Sequence, residues 1–171
     1  MLLRALAVGG AVLALAACGG GGGGSEESTA APTTSQLAPG CEVAVADKAI
    51  TGFLDAVSSG DRSRIRARLS PQDDFERLTV DDADGRTFTT TSRTKALDWL
   101  VGRHAFDDRL RLLSMQVAPG IDANHDAVAG AVSRVASDFP KRGITNRLYD
   151  FEGTINCLRG SISRLQLKGS S

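Results

Sequence analysis

The chain has 171 residues, room for one ordinary domain. Its hydrophobic fraction of 42% and charged fraction of 23% exclude wholesale disorder and a polytopic membrane protein. Lys plus Arg and Asp plus Glu are 20 each, so the formal charge is zero. A general nucleic-acid binder would be basic, so no nucleic-acid partner is expected.

Arg4 precedes an apolar stretch from Ala5 to Ala17 that is 13 residues long. A helix needs about 20 residues to cross the hydrocarbon core, so this is the h-region of a signal peptide. It ends in Leu15-Ala16-Ala17-Cys18. Those residues resemble the lipobox of bacterial lipoproteins; the alternatives are an ordinary secretory signal with a chance cysteine and an uncleaved anchor. The resemblance implies residues 1–17 as signal peptide, diacylglycerol on the Cys18 sulfur, and cleavage before Cys18. Cleavage removes Arg4 and leaves a side-chain charge of −1, so no basic patch assists the anchor. The implied place is the extracytoplasmic face of a cell membrane, held by lipid.

Six glycines, Gly19 to Gly24, open a Ser-, Thr-, Ala- and Pro-rich segment with no apolar periodicity. It cannot bury enough surface to offset its ordering entropy, so residues 18–40 read as the lipidated cysteine and a tether. As a flexible coil the tether reaches roughly 25 Å. The glycine run is not a phosphate loop, because no Gly-Lys-Ser/Thr follows it. With Cys18 lipidated, Cys41 and Cys157 remain at the two ends of a domain over 41–171. An even remainder in an exported chain reads as a disulfide, with two separate buried thiols as the alternative. No metal site is expected, since neither His104 nor His125 has close ligand spacing, and no cofactor motif is found.

Ala46, Ala49, Ile50, Phe53, Leu54 and Val57 fall on one helical face, and Gly60 stops that helix. Asp61 caps a short second helix, DRSRIRARL, which ends before Pro71. Its four arginines read as a solvated face, with an anionic partner as the sharper alternative. Two β-prone runs, Phe75–Val80 and Arg86–Thr91, flank Asp82-Ala83-Asp84-Gly85 and predict a hairpin. A third helix runs over about 94–104, with Leu97, Leu100, Val101 and His104 on one stripe. Strands are predicted over 109–118, 127–137, 147–157 and 161–168, with Pro119-Gly120, Pro140, Gly143 and Gly160 at the breaks. In the third of these, Tyr149, Phe151, Ile155 and Cys157 take the core face, and Asp150, Glu152, Thr154 and Asn156 the other.

This order of elements is similar to the nuclear-transport-factor-two-like fold, also called SnoaL-like or cystatin-like. The features that carry it are Ala46–Val57 with the break at Ser59-Gly60-Asp61, the short second helix, the helix around Trp99 and the terminal strands. The resemblance implies an α+β domain, with a curved antiparallel sheet wrapped as a cone around about three helices. Enzymes of that family place an Asp base or an Asp–His pair inside the cone. No such pattern maps onto this sequence, so no catalytic residue is assigned. Trp99, His104, Tyr149 and Phe151 are the candidate cavity residues, with His104 read as a buried core histidine and the Tyr149 hydroxyl near the rim. His125 is placed in a turn, in an ordinary solvated state. The expected role is a non-catalytic module binding a small apolar ligand or a protein. A structural subunit of an envelope complex, a homodimer through the sheet, and a SnoaL-like lyase or isomerase stay open.

Overall fold

A computed structural model describes residues 41–82, 84–145 and 147–170. The expected signal peptide, the lipidation site Cys18 and the tether lie outside the described residues. No helix among them is long and apolar enough to cross a membrane.

Helix α1 spans Val43–Ser59 and buries Ala46, Ala49, Ile50, Phe53, Leu54, Ala56 and Val57. It ends at Gly60, whose φ of 67° is the left-handed conformation that caps a helix without a Cβ penalty. Helix α2, Arg62–Arg68, is capped by Asp61, which accepts hydrogen bonds from the Ser63 and Arg64 amides at 2.8 and 3.1 Å. Ile65 is its buried anchor. Strands β1 (Arg77–Asp81) and β2 (Thr87–Thr90) form the expected hairpin, and α3 (Arg93–Arg103) follows from an N-cap at Ser92. Strands β3 (Arg109–Asp122), β4 (His125–Val135), β5 (Leu148–Asn156) and β6 (Ser161–Gly169) complete the chain.

All six strands form one sheet in the order β2-β1-β6-β5-β4-β3. Every neighbouring pair is antiparallel except β1 and β6, which run parallel with Leu78 opposite Leu165. Irregularities at Leu112/Ser114 in β3 and at Thr154/Ile155 in β5 help the sheet bend. Its inner face presents Leu78, Val80, Val128, Val132, Tyr149, Phe151, Leu165 and Leu167 to a core shared with the helices. Gly130 lies where the sheet leaves no room: a Cβ there would sit 2.1 Å from the Ser114 carbonyl oxygen.

Cys41 and Cys157 are bonded, with Cα atoms 5.1 Å apart across 116 residues of sequence. The bridge joins the entrance of α1 to the end of β5. Beside it the Cys41 amide donates to Asp126, which is buried. Both sulfurs being in the bond, this grouping offers no thiolate ligand. The break expected at Pro119-Gly120 does not end β3: the strand runs on to Asp122 through a register shift, and the reversal comes at 123–124.

Candidate functional site

The inside of the curved sheet is where a cone of this shape would enclose a ligand, and here it holds charge. Arg134 shares the inward parity of Val128 and Val132 on β4 and is 1% exposed. Its Nε and Nη2 donate to Asp108 at 3.1 and 2.7 Å, and its Nη1 donates to Asp82 at 2.5 Å. Arg103, at the end of α3, donates through Nε to Asp108 at 2.6 Å and holds Asp138 with both Nη atoms at 2.9 and 2.8 Å. Arg142 pairs with Asp82, Asp84 and Asp138. Three guanidiniums thus knit four carboxylates from the β1–β2 turn, the start of β3 and the β4–β5 connection. Hydrogen bonding from Arg103 outweighs partial burial and holds Asp138 down at about 2. For Arg134, burial alone would lower the pKa, but Asp108 and Asp82 raise it.

Aromatic rings sheathe this cluster. The Arg134 guanidinium lies 5.2 Å from the Phe139 ring centre, 5.5 Å from that of Tyr149 and 5.9 Å from that of Trp99. Trp99 is stacked on Phe88 at 4.7 Å. The void left among Phe53, Trp99, Leu100, Leu110 and Arg134 is about 10 Å³, at the lower limit for one water. Carboxylates already accepting guanidinium protons are poorly placed to take a proton from a substrate.

The four candidate cavity residues therefore part company. Trp99 lines the residual void, and Phe151 packs in the core with its ring against Gly130. Tyr149 faces Arg134, but its hydroxyl is buried rather than at a rim. His104 is exposed, not buried: it begins a 3₁₀ turn at the end of α3 and rests against Gly60. The buried position at the end of that helix belongs to Arg103.

A second site lies at the outer edge of the sheet near the disulfide. His125 is the first residue of β4, not a turn residue, and is mostly buried. Its Nδ1 meets Asp122 at 2.9 Å and its Nε2 meets Asp74 at 2.9 Å. The Asn156 amide donates to the other Asp74 oxygen at 3.1 Å. Burial would lower the imidazole pKa, but the hydrogen bonds and charge of the two carboxylates prevail and raise it. Both ring nitrogens are engaged, so the imidazole clamps Asp122 to Asp74. It borders a cleft of about 310 Å³ that also touches Glu76, Thr154 and Arg164. A shallower groove of about 300 Å³ runs over Gln116, Ala127, Ala129 and Glu152 and shares Ala127 and Arg164 with the cleft. Sequence reasoning missed both sites. The inward parity of Arg134 was a usable signal, as was Asp122 three residues before His125; Asp74 carried none.

No known family's sequence profile matches the chain, and no curated protein matches its sequence. Solved structures do match in shape. A Streptomyces avermitilis protein, a candidate dehydratase of the nuclear-transport-factor-two-like family, is 12% identical with a TM-score of 0.58, over 75% of this chain and 96% of that one. A candidate scytalone dehydratase from Novosphingobium aromaticivorans is 12% identical at a TM-score of 0.56, over 75% and 84%. A candidate calcium/calmodulin dependent protein kinase II association domain from Xanthomonas campestris is 10% identical at 0.54, over 75% and 88%. At such identities shape is what is shared, and the chain has the nuclear-transport-factor-two-like, or cystatin-like, fold: a curved six-stranded sheet with three helices.

Proposed function

We propose that the chain is a non-catalytic binding module, anchored by lipid on Cys18 at the extracytoplasmic face of a bacterial membrane, and that it takes a protein partner on the outside of its sheet. The observation that carries this reading is the ionic filling of the cone, with Arg134 where a substrate would have to lie. The interior void of about 10 Å³ favours a protein partner over the small apolar ligand of the sequence reading. The same small void argues against carrying over the dehydratase chemistry for which two fold neighbours are named. The open relief is outside. Ala127, Ala129, Ala131 and Ser133 give β4 a low outer surface, bordered by Asp150 and Glu152 on β5. A tether of about 25 Å would keep the domain near the membrane.

The test is a photo-crosslinking residue placed at Ala129 in one variant and at Lys48, exposed on α1, in another, with the chain in its own membranes. Discrete adducts from position 129 and none from position 48 support the reading. The same adducts from both, or none from either, contradict it.

A further inference from the structure

Arg62 and Arg66 stand one turn apart on α2, and Arg93 opens α3. With Thr94 and Leu97 they line a polar cleft of about 220 Å³. Neither Arg66 nor Arg93 has an ion-pair partner among the described residues. Arg62 has Asp98 at 2.6 Å, but both side chains are more than half exposed and such a pair contributes little. Arg93 spends Nη2 on the carbonyls of Arg66 and Leu69, at 2.6 and 3.1 Å, and so ties down the end of α2. Its Nε is buried and meets no acceptor. Burial, and then the like charge of Arg66, depress the pKa of the Arg93 guanidinium, the reverse of what a carboxylate neighbour does. Cations gathered in a cleft without counter-charge are an arrangement that a bound oxyanion relieves.

We infer that this cleft binds a phosphoryl-bearing anion, a phosphate mono- or diester, between Arg66 and Arg93, with Arg62 turning from Asp98 onto the same group. Arginine suits the task because its planar fork donates two parallel hydrogen bonds to one phosphoryl group. The first turn of α3, an 11-residue helix, adds the positive end of its dipole on the same side. Room for several waters, at about 30 Å³ each, admits the phosphoryl group and part of what carries it. The source is a soluble phosphorylated compound or a phospholipid headgroup, since both present the same oxygens. The site lies on the helices and is independent of the sheet surface proposed for the partner.

The experiment titrates the full chain, purified in detergent, with inorganic phosphate and with glycerol 3-phosphate by calorimetry. In parallel it measures binding to vesicles of phosphatidylglycerol against vesicles of a phosphate-free galactolipid. Arg66→Gln and Arg62→Gln are compared with Arg77→Gln on β1, a control outside the cleft. Saturable binding of either soluble probe, weakened at least ten-fold by Arg66→Gln and Arg62→Gln but not by Arg77→Gln, supports a soluble ligand. A phosphatidylglycerol preference lost in the same two variants supports the headgroup. No saturable binding to either probe and no vesicle preference overturn the inference, and so does binding that Arg66→Gln leaves intact. Unchanged melting of both test variants shows that a loss is not unfolding, because neither side chain carries the fold.

Discussion

Replacing Arg134 with Leu removes the centre of the ionic cluster. Asp108, 2% exposed, loses contacts at 2.7 and 3.1 Å and, among the described residues, keeps Arg103 as its one cation, while Asp82 keeps Arg142. Taking one partner from a buried ion pair typically costs about 3–5 kcal/mol, because the other charge stays desolvated. Lost contacts with Phe139, Tyr149 and Trp99 act in the same direction. For roughly 130 residues at about 2.1 cal/mol/K each, that is a fall in Tm of about 11–18 °C. Urea and thermal melts, followed by circular dichroism and by the fluorescence of the single tryptophan Trp99, measure it. Adding Asp108→Leu should recover at least half of the loss, since a matched apolar pair replaces a buried ion pair at little net cost. Arg103 still holds Asp138 in that double variant. A loss under about 1 kcal/mol for Arg134→Leu, or a double variant as unstable as the sum of the two singles, refutes the reasoning.

Four other outcomes are expected. His125 has its folded pKa raised above its unfolded value of about 6.5. The stability it contributes is therefore complete below about pH 6.5 and lost as pH rises through the folded pKa. Urea midpoints should fall across that window in the parent and be flatter in His125→Gln; equal slopes contradict the clamp. Reducing the Cys41–Cys157 bond should destabilise the domain by about 5 kcal/mol on the chain-entropy view of its 116-residue span, seen as a lower urea midpoint after reduction and alkylation. Gly130→Ala forces a methyl group to 2.1 Å from a backbone oxygen and 2.8 Å from the Phe151 ring, and should cost about 1–3 kcal/mol in a thermal melt. Cys18→Ser should abolish fatty-acid labelling of the chain; equal labelling excludes the anchor.

The helices and the first hairpin were legible because their signals are local. The stripe from Ala46 to Val57, the cap at Asp61 and the Asp-Gly turn each act within a few residues. The parallel pairing of β1 with β6 was not legible, because nothing near Leu78 specifies a partner 87 residues away at Leu165. His104 was misplaced for a geometric reason. Its stripe assumes 3.6 residues per turn, but α3 ends at Arg103 and the chain tightens into a 3₁₀ turn, which rotates the ring out of the core. Arg134 was missed although it is a charge at the inward parity of Val128 and Val132. Its partners Asp82 and Asp108, and Asp138 held by Arg103 beside them, come from three separate connections, and only the folded sheet assembles them. The disulfide followed from the expectation of export with Cys18 set aside, whereas its geometry depends on where β5 ends.

Trp99 offers the most direct measurement of whether the cone is closed. It is the only tryptophan, it lines the interior beside Arg134, and no ligand can enter there without touching its surroundings. Emission of the chain is recorded during titration with enone, epoxide and β-hydroxyacyl compounds, with turnover followed in the same samples. The expected result is no saturable change in emission and no turnover above background. A saturable shift in Trp99 emission, or turnover that Arg134→Leu or Asp108→Asn abolishes with folding intact, contradicts the non-catalytic reading.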